Sequence, residues 1–235
     1  MLQRRLLYVK HRGVLAHGQA VTASRLRMGV ALGKRLRGGD RGPRSTHQPP
    51  EVWYEPRNTG DGQYRIVLQP PGDGYVHVLT PEDIRQRLAQ VPPVFLRNLE
   101  VVQLSRMTRK KRSYPCYGLQ WGAAIYLYPI EESLVEYYGR PPKPAELREA
   151  AMYGARWVQE SPHTWALHWT WPAIRDYYLN NVLIHELGHI VDQRNRNYLD
   201  RERYAEWFAI EYGYKPSREA LVNKALRRVC KRHGR

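Results

Sequence analysis

Five consecutive residues, His185-Glu186-Leu187-Gly188-His189, match the H-E-x-x-H pattern. On a helix, two histidines four residues apart leave the same face one turn apart, and two neutral imidazoles so placed can bind one Zn²⁺. Glu186 is rotated by about 100° from His185, which puts its carboxylate beside the metal and lets it take a proton from a water. The spacing therefore predicts a metal-dependent hydrolase.

The residues around this motif predict a long amphipathic helix that begins near Pro172. Proline suits a first helical turn, and Asp176 lies near the positive N-terminal end of the helix dipole. One face carries the two histidines, and the other is apolar, with Leu179, Leu183, Leu187 and Ile190. The alternative is an ordinary core helix whose two histidines have structural roles.

A catalytic zinc takes three protein ligands and keeps a fourth position for water, so one more ligand must come from elsewhere. The segment from Arg201 to Tyr212 has helical periodicity, and Glu206 is the candidate ligand on this second helix. Glu202 and Glu211 are the alternatives. We interpret Glu202 as a first-turn charge that complements the helix dipole, whereas Glu211 points in another direction.

The segments HELGHIVD and YAEWFAIE together resemble the gluzincin metallopeptidases, which take two histidines from H-E-x-x-H and a glutamate from the next helix. Within that class they are most similar to the protease domain of anthrax toxin lethal factor and its relatives. In that group a Gly precedes the second His, an Asp follows it by three residues, and the ligand Glu lies in an A-E-aromatic-F-A run. Gly188, Asp192 and residues 205–209 match this pattern.

The resemblance implies that His185, His189 and Glu206 are zinc ligands and that Glu186 is the general base. It also implies a zincin-like fold. Two positions depart from the pattern: the linker to the glutamate is shorter here, and Ile210 replaces a frequent second Glu.

Two residues are expected to have supporting roles. Lethal-factor-like enzymes place a Tyr a few residues before the ligand Glu, which makes Tyr198 our first choice for stabilising the oxyanion; packing against a neighbouring helix is the alternative. From its position one turn past His189, Asp192 is expected to hydrogen-bond a ligand imidazole and fix its tautomer; a solvated charge at the helix end is the alternative. Other candidates for the oxyanion donor are Tyr204, His163 and His168. A metzincin is excluded because Asp192 and Asn195 replace that family's Gly and third ligand.

The order of elements predicts an α+β fold with a small mixed sheet, a long metal-binding helix and a following glutamate-bearing helix. Residues 63–69 and 75–79 alternate like two strands of a hairpin, and Thr80 is expected to cap a helix that starts at Pro81. Residues 99–104 form another strand, and the basic run 106–112 is expected to be an exposed loop.

A strongly strand-like run, residues 123–128, precedes the metal helix. Zincins place an edge strand beside the metal cleft, where an extended peptide adds as a further strand. We therefore expect Ala123, Ala124, Ile125 and Tyr126 to contact substrate, with an ordinary internal strand as the alternative. A helix over residues 145–160, a short Trp-containing strand and a basic closing helix over 218–232 complete the prediction.

The positive charge of the chain is uneven. The 235 residues carry a formal charge of +16, and residues 1–50 account for +10 of it, with eleven Lys or Arg against Asp40. This composition predicts a disordered basic N-terminal tail, followed by a metallopeptidase domain over 51–235. The tail could contact nucleic acid weakly or be simply solvated.

Other features of the sequence concern membrane insertion and the cellular compartment. No run approaches eighteen apolar residues, so we expect no transmembrane segment, and there is no clear signal peptide. Cys116 and Cys230 are expected to be reduced thiols in a reducing compartment, although a single bridge between them is the alternative. We expect a cytoplasmic monomer, with secretion left open.

The sequence thus favours a zinc endopeptidase that hydrolyses a protein substrate, with Zn²⁺ as cofactor and Glu186 as base. The alternative is a non-catalytic nucleic-acid-binding or partner-binding protein on a zincin scaffold that uses its basic tail. The intact Glu186 favours catalysis, because a structural zinc has no use for a general base.

Overall fold

The computed structural model describes residues 54–113 and 116–233, and in this part of the chain the fold is mixed α+β. Its strands are β1 (Arg65–Leu68), β2 (Tyr75–Val76), β3 (Val101–Leu104), β4 (Gly118–Trp121), β5 (Ala124–Leu127), β6 (Ile130–Glu131), β7 (Val135–Tyr138), β8 (Arg156–Ser161) and β9 (Thr164–His168). Its helices are α1 (Pro81–Leu88), α2 (Arg109–Ser113), α3 (Pro144–Tyr153), α4 (Trp171–Tyr177), α5 (Leu183–Val191), α6 (Tyr198–Ala209) and α7 (Lys215–His233). The predicted α+β class is therefore confirmed.

A four-stranded mixed sheet has the order β1-β3-β5-β4. Strands β1, β3 and β5 are parallel, and β4 pairs with β5 in the antiparallel sense. The inner strands β3 and β5 are buried along their whole length, as expected for strands covered on both faces. Two smaller sheets pair β2 with β6 and order the rest as β7-β9-β8.

The strand predicted at the edge is internal. β5 lies between β3 and β4, so Ala124, Ile125 and Tyr126 belong to an inner strand, and Ala123 precedes it with its carbonyl bonded to the Glu100 amide. The reason is in the composition: every position of β5 is apolar, which suits burial on both faces rather than an edge. Within the described sheet the edge strands are β1 and β4, and β4, the neighbour of β5, ends at the exposed Trp121.

The predicted hairpin of β1 and β2 is also wrong, because the two strands belong to different sheets. Between them lie Pro70 and Pro71, which have no N–H to offer a hairpin ladder. The carbonyl of Pro71 instead accepts a hydrogen bond of 2.9 Å from the amide of Met107. The connection thus leads the chain away from β1.

The first helix agrees with its predicted cap. The Thr80 hydroxyl accepts from the amide of Asp83, and the Asp83 carboxylate accepts from the amide of Thr80.

Two other expectations, for the basic run 106–112 and for the helix over 145–160, differ from the structure. The basic run contains α2, with Lys111 buried, and the helix expected over 145–160 ends at Gly154, whose φ of 80° reverses the chain into β8.

Two π-helical turns lie next to the helices of the candidate site, one before α5 and one after α6. Tyr178–Val182 joins α4 to α5, and Ile210–Tyr214 joins α6 to α7. The two turns approach closely at Gly213, where an added Cβ would overlap the carbonyl oxygen of Asn180. The buried Arg87 ties the pair together, donating to Asn180 Oδ1 at 2.6 Å and to the carbonyl of Tyr212.

Replacing Gly213 by alanine is expected to lower the free energy of unfolding by about 1–3 kcal/mol, because the new methyl group must displace backbone rather than a flexible side chain. Chemical denaturation checks this value. Glu211→Ala in the same turn removes a partly exposed ion pair with Lys215 and should cost only about 0.5 kcal/mol. Equal stability of the two variants would contradict the close packing.

Three sequence expectations concern features beyond these elements. The predicted basic tail, residues 1–50, lies outside the described residues. Cys116 forms no disulfide with any residue that the structure describes, and the side chain of Cys230 lies outside that part. None of the described helices is both long and apolar enough to cross a bilayer.

Candidate metal centre

Helix α5 positions both histidines of the motif. Its apolar side is buried in the core, with Leu183, Ile184 and Leu187 inaccessible to solvent. This burial fixes the rotation of the helix, because a turn about its axis would expose these side chains. His185 is buried as well, and its Nε2 lies 3.2 Å from Nε2 of His189.

Helix α6 begins soon after α5 ends. The connecting residues are 192–197, and Asn197 caps α6 by accepting a hydrogen bond of 2.9 Å from the amide of Asp200. Because the connection is short, the first turns of α6 stay close to the C-terminal half of α5. The position of any ligand on α6 follows from this constraint.

The two helices pack closely at a pair of small residues. A Cβ added to Gly188 would lie 3.1 Å from Cα of Ala205 and 3.1 Å from Cβ of Phe208. The glycine inside the motif therefore lets the backbone of α6 approach the backbone of α5. A larger side chain at this position would separate the helices and the groups they carry.

This packing brings Glu202 of α6 to the two imidazoles. Its Oε2 lies 3.6 Å from Nε2 of His185, and its Oε1 lies 3.6 Å from Nε2 of His189. Among the described residues, these three form the group of His, Cys, Asp or Glu side chains whose ligand atoms converge, all within 4.8 Å of one another.

The separations fit a tetrahedral ion. Zinc binds nitrogen and carboxylate oxygen at about 2.0–2.2 Å, so two ligands of a regular tetrahedron lie about 3.3–3.5 Å apart. The two imidazole nitrogens lie 3.2 Å apart, and each lies 3.6 Å from one of the two Glu202 oxygens, which is close to that value. Two imidazoles and one carboxylate are also a donor set that zinc accepts in catalytic sites. The residues present therefore fit the ion.

The electrostatics of the group favour ligand-competent histidines. The pKa of His189 is lowered to about 4, mainly because burial disfavours the imidazolium and secondarily because His185 is adjacent; Arg201 lowers it further, whereas Glu202 and Asp192 oppose the shift. The His189 ring is therefore neutral near pH 7, and its nitrogen lone pair is available to a metal.

The acidic member of the group differs from the one expected from the sequence. Glu202 rather than Glu206 lies beside the imidazoles, and Glu206 is half-buried about one turn further along α6, roughly 6 Å along the helix axis. The short connection between the helices explains this, because it keeps the beginning of α6 at the histidines. Glu211 lies in the π-helical turn after α6, where it pairs with Lys215.

Asp192 has a different role from the predicted one. Its carboxylate accepts hydrogen bonds from the amides of Arg194 and Asn195 and from the Asn195 side chain, at 3.0–3.2 Å. The only ring nitrogen of His189 with a described hydrogen-bond contact is Nε2, which faces His185. Asp192 is buried at the end of α5, so it orders the connection to α6 instead of orienting a ligand ring.

Glu186, the expected base, lies between α5 and the edge strand β4. A Cβ added to Gly118, the first residue of β4, would lie 3.0 Å from Oε1 of Glu186 and 2.7 Å from a methyl carbon of Val182. The carboxylate is half-buried against the strand backbone and is one residue from the buried His185. No pattern in the sequence indicates this contact, which the absence of a side chain at Gly118 permits.

Arg201 adds a link between the three elements of the site. Its guanidinium donates to the carbonyl of His189 at 3.3 Å and to Oε1 of Gln120, in β4, at 3.4 Å. Sequence reasoning missed both Arg201 and Gln120, because nothing local to either residue indicates that they meet.

The candidates for the oxyanion donor are spread over the fold. Tyr198 is the first residue of α6, one turn before Glu202, and its side chain is exposed. Tyr204 stacks on Phe208 on the same helix, His163 is exposed, and His168 pairs with Glu160 at 3.6 Å. The role of Tyr198 stays a prediction.

Comparison of the chain with protein-family models, with curated proteins and with solved structures finds no match.

Proposed function

We propose that this chain is a zinc-dependent endopeptidase with a zincin-like arrangement of sheet and helices. One observation supports this most strongly: the ligand atoms of His185, His189 and Glu202 converge, and the carboxylate of Glu186, the neighbour of His185, lies against Gly118 of the edge strand β4. A structural zinc site would need four protein ligands and no adjacent base. Three ligands plus a neighbouring carboxylate match the requirements of hydrolysis.

The ligand set in this proposal is His185, His189 and Glu202. When bound there, Zn²⁺ would polarise a substrate carbonyl and lower the pKa of a water toward 7. Glu186 takes the proton of that water and later delivers it to the leaving amine, which is general acid–base catalysis by one positioned carboxylate. Its half-buried position beside β4 limits its motion and keeps it near the scissile bond.

We infer the substrate class from the edge of β4 that no described strand pairs with. Its other edge pairs with β5, so the backbone on the open side can hydrogen-bond an extended peptide as one more strand. Gly118 brings this strand close to the Glu186 carboxylate. An extended backbone bound along β4 therefore passes the base and the metal ligands, which is the geometry that cleavage within a chain requires.

Metal dependence tests the proposal. The full chain, purified without added metal, should contain about one zinc per molecule and should cleave members of a peptide library. A chelator should abolish cleavage, and stoichiometric Zn²⁺ should restore it. A folded protein that takes up zinc but cleaves no peptide would contradict the endopeptidase assignment, and a folded protein that binds no zinc would contradict the site itself.

A further inference from the structure

The closing helix α7 has an apolar surface that nothing in the described structure covers. Leu221, Val222 and Leu226 are 54%, 57% and 57% exposed. The beginning of the helix is anchored, because Arg218 pairs with Asp176 and lies over the rings of Tyr153 and Tyr214. Every residue from Glu219 to Asn223 is exposed, so the helix leaves the core after Arg218.

The same helix concentrates positive charge. Residues 215–233 contain seven Lys or Arg against Glu219 alone, a formal charge of +6. Residues 51–214 hold nineteen Lys or Arg and twenty Asp or Glu, a formal charge of −1. The basicity of the chain is therefore a property of its two ends, and at the C-terminal end it coincides with the uncovered aliphatic side chains.

We propose that α7 docks on an anionic membrane surface and lies in the plane of the interface. A bilayer surface rich in acidic headgroups satisfies both features at once: aliphatic side chains enter the boundary between headgroups and acyl chains, while Lys and Arg remain at the phosphates. This proposal is independent of the proposed peptidase activity, because it uses no residue of the metal centre.

Charge complementarity selects this occupant over two others. A second copy of α7 would bring +6 against +6, and like charges repel at such an interface. Nucleic acid would satisfy the basic residues through its phosphates but would leave Leu221, Val222 and Leu226 in water. An acidic lipid surface neutralises the positive charge and also removes the apolar side chains from water.

Vesicle flotation with the full chain tests the proposal. Wild-type protein should float with phosphatidylcholine vesicles that contain about one third phosphatidylserine, and less with phosphatidylcholine alone. The triple variant Leu221→Gln, Val222→Gln and Leu226→Gln keeps every charge, including those of the N-terminal segment, and keeps a helix-favouring residue at each position. The partition coefficient of this variant between vesicles and water should fall roughly tenfold or more, because the three aliphatic side chains that enter the membrane interface are lost.

A matched control removes three exposed aliphatic side chains elsewhere. Leu68, Leu147 and Val158 are 60%, 45% and 37% exposed, and their joint replacement by Gln should leave flotation unchanged. Thermal melts of both variants verify that they are folded. Equal flotation of the wild type and the α7 variant would overturn the proposal. The proposal would also be overturned if the wild type were a dimer and the α7 variant a monomer. The same holds if the α7 variant lost binding to DNA but still floated with vesicles.

Discussion

Glu202→Ala protein should lose zinc, whereas Glu206→Ala protein should retain it. The two carboxylate oxygens of Glu202 lie 3.6 Å from the two imidazole nitrogens, one from each, and removing this side chain leaves two ligands where a catalytic zinc requires three. We expect zinc affinity to fall by about 10²-fold or more, since even residues that only orient ligands contribute 10–100-fold. Metal content after dialysis against a weak competing chelator measures this difference.

The pair of variants is well matched. Both glutamates lie on α6, both are partly buried, and they are one helical turn apart. Each of the two substitutions therefore removes one carboxylate and slightly raises helix propensity. If Glu206→Ala loses zinc and Glu202→Ala keeps it, the assignment from the sequence resemblance is correct and the ligand assignment from the geometry is not. Equal loss would indicate that α6 itself is disturbed.

The contrast between these two glutamates shows which part of the site a sequence can predict. His185, Glu186 and His189 are fixed relative to one another by helix geometry, so their spacing in the chain is their spacing in space. The third ligand comes from another helix, and its position depends on the connection between the helices. Within this connection the Asp192 carboxylate accepts hydrogen bonds from Arg194 and Asn195, and helical periodicity alone does not indicate where they lead the chain.

The same distinction holds for the sheet. The cap formed by Thr80 and Asp83 is local, and it was predicted to the residue. Whether β4 or β5 occupies the edge depends on which strands pair, and pairing joins segments far apart in the sequence. The uniformly apolar composition of β5 does predict an inner strand. A strand with an open edge and a solvent-facing side does not need four apolar residues in succession.

The π-helical turns lie beyond sequence prediction for another reason. Tyr178–Val182 follows the helical periodicity closely enough to be read as continuous helix. The turn is accommodated by tertiary contacts: the Tyr178 hydroxyl donates to the carbonyl of Tyr128, and the Asn181 amide donates to Glu149. Such turns occur often at functional sites, and this one directly precedes α5, which carries His185 and His189.

Glu186→Gln protein should bind zinc as the wild type does and should lose peptide hydrolysis. Glutamine has the shape of glutamate, so the packing against Gly118 and the strand β4 is preserved, and the ligand atoms of His185, His189 and Glu202 are untouched. The amide accepts no proton at neutral pH, so the attacking water lacks its base. We expect kcat to fall by about 10²–10⁴-fold with little change in KM.

The comparison of kcat with KM separates catalysis from binding. A peptide held along β4 makes its main-chain hydrogen bonds in both proteins, so ground-state binding should be equal and the loss should appear in the transition state alone. Glu211→Gln, outside the metal group, is the control and should keep wild-type turnover. If Glu186→Gln retains wild-type kcat while zinc content is unchanged, another group must take the proton, and Glu186 then has only a packing role beside Gly118.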